Sequence, residues 1–210
     1  MSRETILEKV RTALGRSAGQ APAEPPQARI RIPETGIEER LEQFRRALEK
    51  LGGKFHLAES SEDARERVAA LVAGRAAVAS NSPYLAACGI PELAGMRTGF
   101  TREADLREAC AGAGAGITSA DYGLADTGTL VLLSSAREAR MISLLPPMHL
   151  AVIPREIILT GLDELLTILP DPAEASSSMV LITGPSRTAD IEQILIRGVH
   201  GPGEIHVVVV

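Results

Sequence analysis

Aromatic residues are nearly missing from this sequence. Tryptophan is absent, and Phe, Trp and Tyr together make up 2% of the 210 residues. A surface that stacks the bases of single-stranded nucleic acid needs aromatic platforms, so that class of binder is disfavoured. Duplex binding is disfavoured as well: Lys and Arg number 22 against 27 Asp and Glu, the net charge is −5, and no basic stripe stands out. Cysteine is scarce, with only Cys88 and Cys110 and no CxxC pair. A disulfide framework, or a zinc or iron–sulfur site held by cysteines, needs more thiols. The two are therefore expected to be reduced and partly buried. No apolar run approaches the ~18 residues of a membrane span. The opening segment carries Arg3, Glu4, Glu8 and Lys9 rather than the apolar stretch of a secretory leader. The expectation is a soluble, cytoplasmic protein without membrane span or nucleic-acid partner. The four histidines (His56, His149, His200 and His206) include no ligand-spaced pair, so the sequence predicts no metal site, although one assembled in space stays open.

With 45% hydrophobic residues and so few aromatics, the core must be built from Leu, Ile, Val and Ala. Ser2 can cap a first helix with Ile6, Val10 and Leu14 on one face, stopped by Gly15. Residues 17–33, rich in Pro, Ala and Gln, read as a linker. Residues 1–34 are thus an N-terminal helix and linker, and residues 35–210 a single domain. That domain opens on a helical stripe of Ile37, Leu41, Phe44, Leu48 and Leu51, ended by Gly52 and Gly53. Strands are expected at 54–58, 75–80, 115–119, 129–133, 149–153, 179–183 and 205–210. Helices are expected after Ser60 or Ser61, at 83–93 with a break at Gly89, after Thr101, and at 136–145, 162–169 and 188–196. Val131-Leu132-Leu133 and Val207-Val208-Val209-Val210 are continuous apolar runs, the pattern of strands buried on both faces. The alternation predicts an α/β fold with a mostly parallel sheet covered by helices.

Ligands of open α/β sheets bind beyond the carboxyl ends of strands. The apolar strand 179–183 runs into Gly184-Pro185-Ser186-Arg187-Thr188, followed by Asp190. A helix starting there would offer free N–H groups to an anion, and Arg187 a charged fork for carboxylate or phosphate. The same residues also suit plain helix capping. Asp126-Thr127-Gly128-Thr129 offers a carboxylate and two hydroxyls beside a glycine, or simply a tight turn. His200, between glycines in 198–203, is either an acid–base or orienting group or the closure of a turn. Walker A, Rossmann and Gly-x-Ser-x-Gly signatures are missing, and no catalytic residue is assigned.

In this order, Gly116-Ile117-Thr118, Asp126-Thr127-Gly128-Thr129, Leu144-Leu145-Pro146-Pro147-Met148-His149, the run from Thr183 to Glu192, and Gly198-Val199-His200-Gly201-Pro202 are similar to the LUD domain family. Within it they most resemble the lactate utilisation protein C group. The likeness spans about residues 115–210, and Asp126 stands where members often carry Glu. The resemblance implies a three-layer α/β fold like that of sugar-phosphate isomerases and CoA transferases. It implies a role in oxidising L-lactate to pyruvate, as a component of an L-lactate dehydrogenase system whose iron–sulfur clusters sit in partner proteins. This chain is then expected to hold no cofactor of its own. The alternative is a stand-alone enzyme or binder of a phosphorylated or CoA-like anion.

Overall fold

The computed structural model describes residues 2–20, 32–188 and 196–210. The chain divides into two compact units, Met1–Ile30 and Arg31–Val210. In the first, α1 (Arg3–Ala13) is capped by Ser2, whose hydroxyl oxygen accepts the Thr5 N–H. Its apolar stripe of Ile6 and Val10 is exposed.

The second unit contains, in chain order, α2 (Ile37–Lys50), β1 (Lys54–Leu57), α3 (Ser61–Val72), β2 (Ala77–Ala79), α4 (Pro83–Ala87), β3 (Met96–Arg97) and α5 (Glu103–Ala111). Next come β4 (Ala115–Thr118), β5 (Tyr122–Leu124), β6 (Thr129–Leu133), β7 (Met148–Ile153) and β8 (Ile158–Leu159). The remainder is α6 (Leu162–Ile168), α7 (Pro172–Ala175), β9 (Met179–Ile182), β10 (Arg187–Thr188), β11 (Ile196–Arg197) and β12 (Glu204–Val209). Local chemistry explains the helix starts. Ser60 caps α3 by accepting the Asp63 N–H, and Glu38 and Glu39 sit in the first turn of α2, where the helix dipole favours negative charge.

Six strands form one sheet in the order β1-β12-β7-β4-β2-β3, every pairing parallel. Alternate residues divide between its faces. Ala77, Ala79, Ile117, Leu150, Val152 and Val208 pack on α3 and α4. On the opposite face Ala151, Ile153, Ile205, Val207 and Val209 meet Leu41, Phe44 and Leu48 of α2, and Val78 meets Leu106 and Cys110 of α5. The expected α/β fold with a parallel sheet between helices is present. Cys88 and Cys110 are free and buried, in clusters on opposite faces of the sheet.

Three expectations need correction. First, β6 does not join the parallel sheet. It is internal to a second, four-stranded sheet ordered β8-β5-β6-β9, antiparallel except where β5 pairs β8. Its apolar run arises because Leu130 and Leu132 face the α2 core while Val131 faces Leu165 of α6. A continuous run reports burial on both sides and not the direction of the neighbouring strand. Second, 136–145 is no α-helix, holding only the 3₁₀ turn Arg140–Ser143. Ser135 accepts the N–H groups of Arg137 and Glu138, a local bonding that competes with helix. Third, the helix expected at 188–196 is not formed at its ends: Thr188 of β10 pairs antiparallel with Ile196 of β11. Residues 189–195 of that expected helix lie outside the described residues.

Candidate functional site

Two motif loops meet on the last turn of α2. The first is the hairpin turn between β5 and β6. It closes with the Gly128 N–H donating to the Leu124 carbonyl (2.9 Å), and Gly128 adopts φ 64°. That left-handed backbone suits glycine, and a side chain there would run into the backbone of Leu48. The second loop leaves β9 at Thr183. Gly184 (φ 87°) brings it against α2, with a hypothetical Cβ lying 3.0 Å from the Leu51 Cβ. Antiparallel register sets Leu130 opposite Ile182, so the residues just outside that pair, Thr129 and Thr183, become neighbours. Their hydroxyls bond at 2.8 Å. The chain of hydroxyls continues from Thr129 to Thr127 (2.8 Å) and from Thr127 to Asp126 Oδ1 (3.1 Å).

The Arg187 guanidinium donates to the Leu51 carbonyl at the C-terminus of α2, where a helix end favours a cation. Arg187 and Thr188 are strand, and the start of the helix expected after them lies outside the described residues. Asp190 lies outside the described residues. The third motif segment packs on the second through Ser186: its N–H donates to the Pro202 carbonyl (2.9 Å), and its carbonyl accepts the Gly198 N–H (3.1 Å). Thr183, Gly184, Ser186 and His200, with Ser143 and Pro202, line a cavity of about 230 Å³. Pro185 is buried. The structure therefore gathers Gly184, Ser186 and His200 at one cavity. Asp126 opens instead on a different hollow of about 480 Å³ with Glu39, Gln43, Thr160 and Asp163. Thr127, Gly128 and Thr129 lie between the two.

Two histidines are internal to the large sheet. His149 on β7 is fully buried, its Nε2 2.8 Å from the Thr118 hydroxyl, and burial pushes its pKa down to about 4. His206 on β12 stacks on His56, with Nδ1 3.1 Å from His56 Nε2. Burial and then Lys54 hold His206 at about 4. Among the described residues no cluster of three or more His, Cys, Asp or Glu side chains suits a metal ion.

One carboxyl group escaped the sequence reading. β2 leads into α4 on one face of the parallel sheet, while the chain after β4 passes to the second sheet on the other face. Beyond the carboxyl ends of these adjacent strands lies the crevice where α/β sheets receive ligands. Glu138 reaches into it from the loop after β6. Its Oε1 accepts the Ser80 hydroxyl (2.9 Å) and the Ser119 N–H (3.0 Å), while Oε2 is buried without a partner. Burial, reinforced by Asp121, raises the Glu138 pKa to about 7 against the lowering effect of Ser119, Ser80 and the nearby Ser82 hydroxyl. In sequence, Glu138 sits in a stretch read as helix, 136–145, and carries no motif that marks it.

The comparisons agree with this architecture. The chain matches the LUD domain over residues 41–210 and belongs to that family. It is similar to "Lactate utilization protein C" of Anoxybacillus flavithermus, 41% identical over 102 residues, which is 49% of this chain and 46% of the relative. The protein of that name from Halalkalibacterium halodurans is 43% identical over 91 residues, 41% of this chain and 40% of the relative. "Uncharacterized protein YkgG" of Escherichia coli K12 is 42% identical over 91 residues, 41% of this chain and 39% of the relative. Each match thus spans less than half of the relative's own length. The crystal structure of a DUF162 family protein from Deinococcus radiodurans superposes with a TM-score of 0.63 at 17% identity, covering 83% of this chain and 98% of that one, which shows the shared fold. Among the described residues no helix is long and apolar enough to cross a membrane.

Proposed function

We propose that this protein serves in lactate utilisation, as a component of an assembly that oxidises L-lactate to pyruvate with iron–sulfur proteins as partners. The observation that carries the reading is its similarity, at about 40% identity over part of the chain, to relatives named lactate utilization protein C, together with its membership of the LUD domain family. Oxidising a secondary alcohol to a ketone releases two electrons and two protons. Cluster proteins accept electrons one at a time, which suits them as the partners that carry the pair away. This chain has two cysteines, each buried in a different cluster, which accords with iron–sulfur thiolates supplied by partner proteins. The hydroxyl of Ser186 beside His200 supplies a hydrogen bond of the kind a small carboxylate uses.

The partner half of the proposal is tested by anaerobic affinity purification of the tagged protein from cells grown on L-lactate. The expected eluate contains iron and reduces a dye when lactate is added. An iron-free eluate holding this chain alone would remove the iron–sulfur partnership.

A further inference from the structure

A hollow of about 320 Å³ opens where β2 and β3 end, away from the motif loops. The two strands pair in parallel, yet the chain leaves them toward opposite faces of the sheet. β2 leads into α4, whose Leu85 packs on one face, and β3 leads to α5, whose Leu106 packs on the other. In parallel α/β sheets that divergence marks the place where ligands bind. The lining is largely apolar. Leu106 and Ile142 are buried, and Phe100, Ala139 and Met141, the partly buried margin of the same core cluster, all line the hollow. Three arginines share its rim. Arg102 is occupied by a two-pronged pair with Asp105. Glu103, also in the wall, pairs with Arg107. Arg137 and Arg140 are exposed and form no ion pair among the described residues.

Asn81, two residues beyond β2, ties the walls together. Its N–H donates to the Arg137 carbonyl (2.9 Å), its side-chain amide donates to the Phe100 carbonyl (3.1 Å), and its Oδ1 accepts the Gly99 N–H (2.9 Å). The Arg97 guanidinium lies over the Phe100 ring, 5.6 Å from its centroid. The hollow is thus formed before any ligand arrives, which reduces the freedom lost on binding.

We propose that this hollow binds a small anion carrying an aromatic ring, with the ring against Phe100 and Met141 and the anionic group on Arg137 and Arg140. An apolar lining with a few polar groups at one side is the composition of small-molecule sites, and a volume near their lower limit of about 300 Å³ admits one ring system with its acid group. A ligand ring packs well on the edge or face of a phenylalanine and on a thioether sulfur. Arginine receives carboxylate and phosphate alike through its planar fork. A nucleoside monophosphate and an aryl carboxylate share this chemistry. Lactate carries no ring, so the site is independent of the lactate reading above.

Calorimetric titration of the purified full-length protein tests it, with AMP and phenylacetate as probes. Ribose 5-phosphate and acetate lack the ring; adenosine and phenylacetamide lack the charge. Saturable binding of at least one probe is expected, about tenfold tighter than either of its counterparts. Phe100→Ala should weaken that probe about tenfold and leave the ringless anion little changed. Arg137→Ala combined with Arg140→Ala should weaken probe and ringless anion alike. Thermal melting establishes that each variant is folded, and Phe100→Leu, which keeps apolar volume without the ring, replaces Phe100→Ala if that variant is not. Failure of the wild type to bind either probe at about ten millimolar would overturn the proposal. So would equal binding without the ring or without the charge, or wild-type binding by either folded variant. Binding of AMP alone or of phenylacetate alone upholds the site and tells the nucleotide from the aryl acid.

Discussion

Gly128→Ala is expected to lose at least ~3 kcal/mol of stability, with a fall in Tm of about 6–12 °C for a chain of this size. Two effects add. Gly128 sits at φ 64°, which a residue with a Cβ occupies at a cost of about 1 kcal/mol or more. The added methyl would also strike the backbone nitrogen of Leu48 and lie 2.7 Å from its Cα. Backbone atoms of a helix cannot rotate aside, so α2 itself must move. It carries Leu41, Phe44 and Leu48 into the core shared by both sheets. Gly74→Ala is the matched control: φ is 74°, but nothing lies within 4 Å of the new methyl, so only the backbone cost applies. Thermal or denaturant unfolding of both variants makes the comparison. A Gly128→Ala loss no larger than that of Gly74→Ala would show that the hairpin does not lean on α2 as described.

Glu138→Gln is expected to stabilise the protein at pH 8 by up to about 3 kcal/mol, and to change little at pH 4.5. The Glu138 pKa rises from an ordinary 4.5 to about 7, first through burial. Between those values the folded state holds the proton more tightly than the unfolded chain. Stability contributed by this group therefore falls as pH rises from 4.5 to 7 and stays low above it. Glutamine keeps an acceptor for Ser80 and Ser119 but cannot ionise, so the slope disappears. His149 acts in the opposite direction. Its pKa is lowered from 6.5 to about 4, so the unfolded chain binds the proton first and stability is lost as pH falls through that interval. In the wild type the slopes oppose each other between pH 4.5 and 6.5, and the variant should expose the rise due to His149 and His206, both lowered to about 4. Denaturant unfolding at pH 5, 6.5 and 8 reads this directly. A Glu138→Gln effect of equal size at pH 5 and pH 8 would contradict the account.

The parts of the fold written in local chemistry were legible. The stripe of Leu41, Phe44 and Leu48 announces α2, Ser60 announces the start of α3, and the valines of β12 announce a strand buried on both faces. The second sheet was only half legible. Its outer members are as short as Ile158–Leu159, and β5 contains Gly123, so neither shows a period. β6 was found as a strand but placed in the wrong sheet, because burial alone does not encode a partner. The motif loops were read as separate candidates, and the bond between Thr129 and Thr183 depends on strand register across 54 residues. Arg187 reads as an anion ligand by residue type, and its contact with the Leu51 carbonyl at the end of α2 follows from the fold and not from its neighbours in sequence. Glu138 was hidden: an acidic residue in an expected helix becomes a buried carboxyl where Ser135 instead turns the chain.

The most direct test of a role in lactate utilisation is growth. The gene is deleted in an organism that carries it and lacks any other lactate-oxidising route, and the strain is supplied with L-lactate as sole carbon source. The account predicts no growth on lactate, normal growth on pyruvate, and restoration by the intact gene. Undiminished growth of the deletion strain on L-lactate would contradict it.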